Sequence, residues 1–180
     1  MKDSLPPDMY DRIQEDHNWF ESLGRKIPGF RGYLEQRDRR EADQLIRQTI
    51  AARLEQARLN LSNVHQELSS DIIKAIDHAE PLGRIDNNLM GLIGKIKDAP
   101  QGYAGFFSAI KVDNETLEQL YRFDEGLLLQ ADFIATSVAG LEKAVREDGE
   151  IKEAIRTLDT AVKDANTQFN GRNEVLLGLA

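Results

Sequence analysis

The chain has 180 residues, 41% hydrophobic and 30% charged, the balance of one ordinary globular or helical domain able to bury about 70% of its unfolded surface. It has no cysteine, which excludes disulfides, thiol catalysis and cysteine-ligated metals. A net charge of −8 and a pI near 5.0 argue against broad nucleic-acid binding, no apolar run reaches the roughly 18 residues of a membrane span, and the opening MKDSLPPD lacks an apolar signal core, so the expected location is cytoplasmic.

Residues 1–8 read as a flexible, proline-bearing tail, and 9–176 as a single helical-bundle domain. Met9, Ile13, Phe20 and Leu23 recur at helical spacing, which predicts a short amphipathic helix over 9–23 that stops at Gly24. Trp19, the only tryptophan, lies beside Phe20. This helix could pack on the bundle, cover a protein partner or lie on a membrane surface. Its aspartates and glutamates disfavour the last.

Ile27 to Arg47, IPGFRGYLEQRDRREADQLIR, joins a glycine-aromatic turn to an arginine-rich helix start. Phe30 and Tyr33 flank Gly29 and Gly32, so the turn is expected to fold back on something. Arg37, Arg39, Arg40 and Arg47 alternate with carboxylates, and Asp43 to Arg47 is a helix-supporting i,i+4 pair. Either these charges form a solvated, salt-bridged first turn, or the same arginines form a fork that grips a carboxylate, a phosphate or a partner chain.

A long helix is predicted over about 34–68, with Ile46, Ile50, Leu54, Ala57, Leu61, Val64 and Leu68 in one stripe. Leu34, Leu45 and Leu59 lie off that stripe and leave room for self-association as a homo-oligomer. Ser69, Ser70 and Asp71 supply N-cap chemistry for a reversal. The next helix, 71–98, is expected to open its stripe with Ile72, Ile73 and Ile76 and to continue it with Ile85, Leu89, Leu92, Ile93 and Ile96, with a kink or break at Pro81 and Gly83. Gly91 and Gly94 could let a neighbouring helix approach closely.

The loop APQGYAGFFSAIKV repeats the form of the first turn, with Tyr103 and Phe106 beside Gly102 and Gly105. Asp113 caps a helix over 113–146. Its seam of Leu117, Leu120, Asp124, Leu127, Ala131, Ile134, Val138, Leu141 and Val145 alternates steps of three and four, a coiled-coil-like period. Asp124 stands where a leucine belongs, so it is read as a buried polar residue needing a partner, with Tyr33, Tyr103 or an arginine as candidates. It either fixes the register or binds a ligand. Gly149 marks the last reversal, and the final helix, 150–176, carries Ile151, Ile155, Leu158, Val162, Ala165, Phe169 and Leu176 on one face.

The four long helices predict an all-α fold, an antiparallel up-down-up-down four-helix bundle with an extra short N-terminal helix. Both glycine-aromatic turns, the arginine cluster, Asp124 and Phe169 then share one end. No Glu-x-x-His motif suits a di-iron centre, since Gln14, Ser62 and Ala75 precede His17, His65 and His78 by three, and these histidines read as surface residues. No P-loop or Gly-x-Ser-x-Gly elbow is present, and no cofactor or metal is expected.

The segments IPGFRGYLEQRDRREADQLIR and GYAGFFSAIKVDNETLEQLYRFD are similar to sequences of uncharacterised bacterial all-helical proteins, in which an IPG-aromatic-x-GY turn precedes an arginine-rich helix and a GY-x-G-aromatic loop precedes a helix bearing LY-x-FD. The resemblance implies a bacterial cytoplasmic origin and brings no activity with it. The leading functional expectation is a non-enzymatic adaptor or assembly subunit that binds a protein partner through Trp19, Phe20, Phe30, Arg31, Tyr33, Arg37, Arg39, Arg40, Tyr103 and Phe106, residue types found in binding hot spots. The alternatives are a membrane-associated or filament-forming helical scaffold and a small-molecule or metal-binding bundle centred on Asp124.

Overall fold

A computed structural model of the chain describes residues 24–27, 39–99 and 114–176, including the side chains of 24–27, 44–99, 122–172 and 174. Four long helices fill it: α1, Arg39–Leu68; α2, Ile72–Asp98; α3, Asn114–Arg146; and α4, Ile151–Leu176. Residues 24–26 are also helical, where the sequence reading expected a stop at Gly24; the predicted helix over 9–23 lies outside the described residues. The helical residues end before Ile27, which Pro28 follows in sequence and biases away from helical geometry. No described helix is long and apolar enough to cross a membrane.

Helix directions alternate as the sequence predicts, and the four helices pack into a bundle. Its corners run α1, α2, α4, α3. The hairpin partners α1–α2 and α3–α4 are antiparallel. The other two neighbouring pairs, α1–α3 and α2–α4, are parallel, as matched contacts show: Arg53–Asp132 and Arg146–Glu67 join α1 to α3, and Arg84–Asp159 and Lys95–Asn166 join α2 to α4. Helices α2 and α3, consecutive in sequence, therefore stand on opposite corners.

The core is one continuous cluster built from a single stripe of each helix. Ile46, Ile50, Leu54, Leu61 and Val64 come from α1; Leu128, Ile134 and Leu141 from α3; Leu158, Val162 and Phe169 from α4. The stripe of α2 differs from the predicted one at its start. It runs through His78, Leu82, Ile85, Leu89, Leu92 and Ile96 in steps of three and four. Continued backwards, that line misses Ile72, Ile73 and Ile76, which are 75%, 73% and 74% exposed. His78, read from sequence as a surface residue, is buried because it lies on the true line. His65 is half-buried.

The expected break at Pro81 is also absent: α2 runs unbroken from Ile72 to Asp98 with Pro81 inside it. Proline removes one backbone bond, to the carbonyl four residues earlier. Burial of His78, Leu82 and Ile85 on one side holds the helix through the gap. At its N-terminus the Asp71 carboxylate accepts hydrogen bonds from the backbone N–H of Ile73 at 2.9 Å and of Lys74 at 3.2 Å, as the N-cap reading expects. Ser69 and Ser70 instead donate to the Gln66 and Glu67 carbonyls and close α1. At the other reversal Gly149 N–H donates to the Ala144 carbonyl at 2.8 Å, and the residue in the left-handed region is Asp148, with φ 50°, rather than Gly149.

Replacing Pro81 with alanine restores the missing donor and is expected to raise unfolding stability by about 1–2 kcal/mol in urea titration; an unchanged or lower midpoint would show that the proline is accommodated at no cost.

Candidate functional site

Most of the residues selected from the sequence as a partner-binding cluster, Trp19, Phe20, Phe30, Arg31, Tyr33, Arg37, Tyr103 and Phe106, lie outside the described residues, as do the side chains of Arg39 and Arg40, which open α1. Tyr33 and Tyr103 as partners of Asp124 fall there too. Asp124 itself is described and is buried, 1% exposed, as its place in the seam of α3 predicts.

Among the described residues, Asp124 meets Arg172 of α4. Arg172 Nε donates to Asp124 Oδ1 at 2.6 Å and Nη2 to Oδ2 at 3.4 Å, a side-on fork between two fully buried side chains. The sequence carried a signal for it. On α4 the buried line reads 158, 162, 165, 169 and then 172, one more step of three, so an arginine sits on a core line opposite an aspartate on another. Two turns of neighbouring structure support the pair. Gln168 lies directly over Gly126, where a β-carbon would meet its amide nitrogen at 1.8 Å, and donates to the Phe123 carbonyl at 3.4 Å. A glycine at 126 is what lets α4 come this close.

At the same end of the bundle Arg47, expected in the solvated first turn, is instead buried. Its Nη1 donates to the carbonyl of Ala99 at 2.8 Å and so caps the C-terminus of α2, where the helix dipole favours a cation. Beside it a cleft of about 300 Å³ opens between α1 and α2, lined by Gln44, Gln48, Glu55 and Lys97 among others. Lys97 and Glu55 pair across it. Midway along the bundle Arg53 ties three segments together: Nη1 to Asp132 of α3 at 2.6 Å and Nη2 to the Lys26 carbonyl at 2.8 Å. Ile27, next to that carbonyl, has no exposed surface. The glycine-aromatic segment thus starts against the middle of the bundle, about 20 Å along α1 from Arg39.

Among the described residues no group of three or more histidines and carboxylates is arranged to hold a metal ion. What stands out instead is apolar surface. Ile72, Ile73 and Ile76 are adjacent on the first turns of α2, at the end away from Asp124, and Met90 is 49% exposed further along the same helix. Elsewhere Leu59 is exposed, as its place off the main stripe predicts, and Leu129 and Phe133 form one i,i+4 pair on α3. Leu45 packs against the core. Beside the isoleucines, Lys74 pairs with Asp148 of the α3–α4 turn. That hydrogen bond holds the Asp148 carboxyl below its ordinary value, with the lysine's charge adding to the effect.

Comparison of the chain with family models, with curated proteins and with solved structures gave no match, so nothing in them bears on the two glycine-aromatic segments or assigns a residue.

Two outcomes follow from this geometry. Arg172→Ala removes the guanidinium from a buried carboxylate and should cost about 3–5 kcal/mol in denaturant unfolding, whereas Asp124→Leu combined with Arg172→Met should recover most of that loss; equal losses in both variants would show that packing, not charge, is at stake. By NMR titration Asp148 should titrate below its ordinary 3.8 and return towards it in Lys74→Ala. Because the folded value is the lowered one, the pair's contribution is present above the ordinary carboxylate value and is lost as pH falls through the lowered one. An Asp148 value unchanged by Lys74→Ala would contradict the pairing.

Proposed function

We propose that this chain is a helical-bundle interaction protein, an adaptor or assembly subunit without a reaction of its own, and that it docks through the outward face of α2. The observation that carries this reading is the isoleucine triad. Three neighbouring isoleucines each about three-quarters exposed are unusual on a face that nothing among the described residues covers. Single exposed apolar residues are ordinary, but contiguous ones mark contact surfaces.

Several features support the assignment. The ion pairs and hydrogen bonds of α2 to its neighbours lie along its two edges, Arg58–Asp86 and Lys97–Glu55 towards α1, Arg84–Asp159 and Lys95–Asn166 towards α4. They fix the helix in place and frame the apolar strip between them. Burying the triad against a partner removes about 1.5–3 kcal/mol of exposed apolar surface per side chain. The core does not need these residues, so their removal leaves the fold intact.

A photo-crosslinking amino acid at position 76, introduced in living cells, should give protein adducts of defined mass. Ile73→Glu in the same chain should abolish them without changing helical content by circular dichroism. A crosslinking pattern that is absent, or indifferent to Ile73→Glu, would contradict docking through this face.

A further inference from the structure

We propose that Asp148–Gly149, in the turn between α3 and α4, is a latent isoaspartate site, and that Lys74 of α2 and the Ala144 carbonyl of α3 together hold it shut in the folded bundle. Asp148 is the only aspartate of the chain that a glycine follows. Such a pair rearranges more readily than others without a catalyst, because glycine has no β-carbon to hinder ring closure. The backbone does not call for a glycine here. The left-handed residue is Asp148, and a β-carbon at Gly149 would come no nearer than 3.5 Å to Ala144, an ordinary contact.

The rearrangement needs only water. The Gly149 amide nitrogen attacks Asp148 Cγ. A new N–Cγ bond forms, and the carboxyl hydroxyl and the amide proton leave together as water. Water then opens the five-membered imide at either carbonyl. Opening at the original main-chain carbonyl sends the backbone through Cγ, which gives isoaspartate, one methylene longer in the main chain and unchanged in mass. Ring closure therefore requires a free N–H, a protonated carboxyl and a side chain able to fold back on Gly149.

The structure withholds all three. Gly149 N–H donates to the Ala144 carbonyl at 2.8 Å, in the turn that ends α3. Lys74 Nζ donates to Asp148 Oδ1 and ties the carboxylate to α2. The same hydrogen bond, with the lysine's charge, keeps the carboxyl ionised. Burial is not the guard, since the Asp148 side chain is 78% exposed. Both locks are single bonds at the solvent-facing end of the bundle, where local opening takes less than global unfolding. The Asn170–Gly171 pair is guarded differently. It lies inside α4, where the Gly171 N–H belongs to the helical ladder and Phe123 stands 3.4 Å from where a β-carbon would be. At Asp148 the guard comes down to one side chain from another helix. Conversion there would lengthen the reversal and carry the carboxylate off Lys74, undoing the α2 contact and the end of α3 together.

The test incubates the full chain warm at neutral pH and then digests it with trypsin. Cleavage releases residues 147–152 as one peptide and 164–172 as another, so the two glycine pairs are read separately. The isoaspartate form of a peptide elutes apart from its aspartate form at equal mass. In the folded chain the 147–152 peptide should convert slowly, and about threefold faster in Lys74→Ala, the size of effect expected from losing one exposed pair. Lys74→Arg, which keeps the charge, should stay at the wild-type rate. In concentrated urea all three chains should convert at one common, faster rate. Gly149→Ala, which the turn accommodates, should suppress the product in both conditions. Equal folded rates for wild type and Lys74→Ala, or a Lys74→Arg as fast as Lys74→Ala, would overturn Lys74 as the guard. A folded rate equal to that in urea would overturn the lock as a whole. A 147–152 peptide that never converts even in urea, or that still converts in Gly149→Ala, would overturn the site.

Discussion

A helix in a four-helix bundle can bury one stripe, and in α2 that stripe is set by Leu82, Ile85, Leu89, Leu92 and Ile96. Five large side chains at steps of three and four outweigh the isoleucines at the start of the helix. Once the phase is fixed, His78 must enter the core and Ile72, Ile73 and Ile76 must leave it. The pairs of Arg58 with Asp86 and Arg84 with Asp159 lock the same rotation from the two edges. The outward apolar face is therefore a consequence of the core, and a small change of helix rotation cannot hide it.

The two ends of the bundle are held by different physics. At one end buried arginines do the joining. Arg172 neutralises Asp124 between α4 and α3, and Arg47 closes the carbonyl end of α2 from α1. An ion pair in such a place adds little net stability over a well-packed apolar pair, but it penalises any register that separates the charges. At the other end the joints are a capping aspartate, a left-handed Asp148 and surface pairs, all open to solvent. The apolar triad sits at this plainer end, so a partner could engage it without disturbing the buried pairs.

The bundle was legible because its signal is redundant: α1, α3 and α4 each repeat the seam many times, and no single residue can shift its phase. Asp124 was legible as a fault in such a seam. An arginine was among its expected partners, as Arg172 proves to be, but which arginine was not legible, because Arg172 follows Phe169 on a line otherwise read by its apolar members alone. The start of α2 was misread for a related reason. IIKAI satisfies helical spacing by itself, and only the longer pattern downstream shows that it is out of phase. Pro81 suggested a break because local preference disfavours proline in a helix, yet packing on both sides overrides it. The parallel pairing of α1 with α3 left no mark in the sequence, since direction alternates either way.

The most direct measurement is isoleucine methyl NMR in the presence of a soluble paramagnetic probe. If the core line of α2 turns its first isoleucines outward, the probe broadens the Ile72, Ile73 and Ile76 methyl signals and leaves those of Ile85 and Ile96 sharp. Triad signals as well protected as those of Ile85 and Ile96 would contradict the outward face.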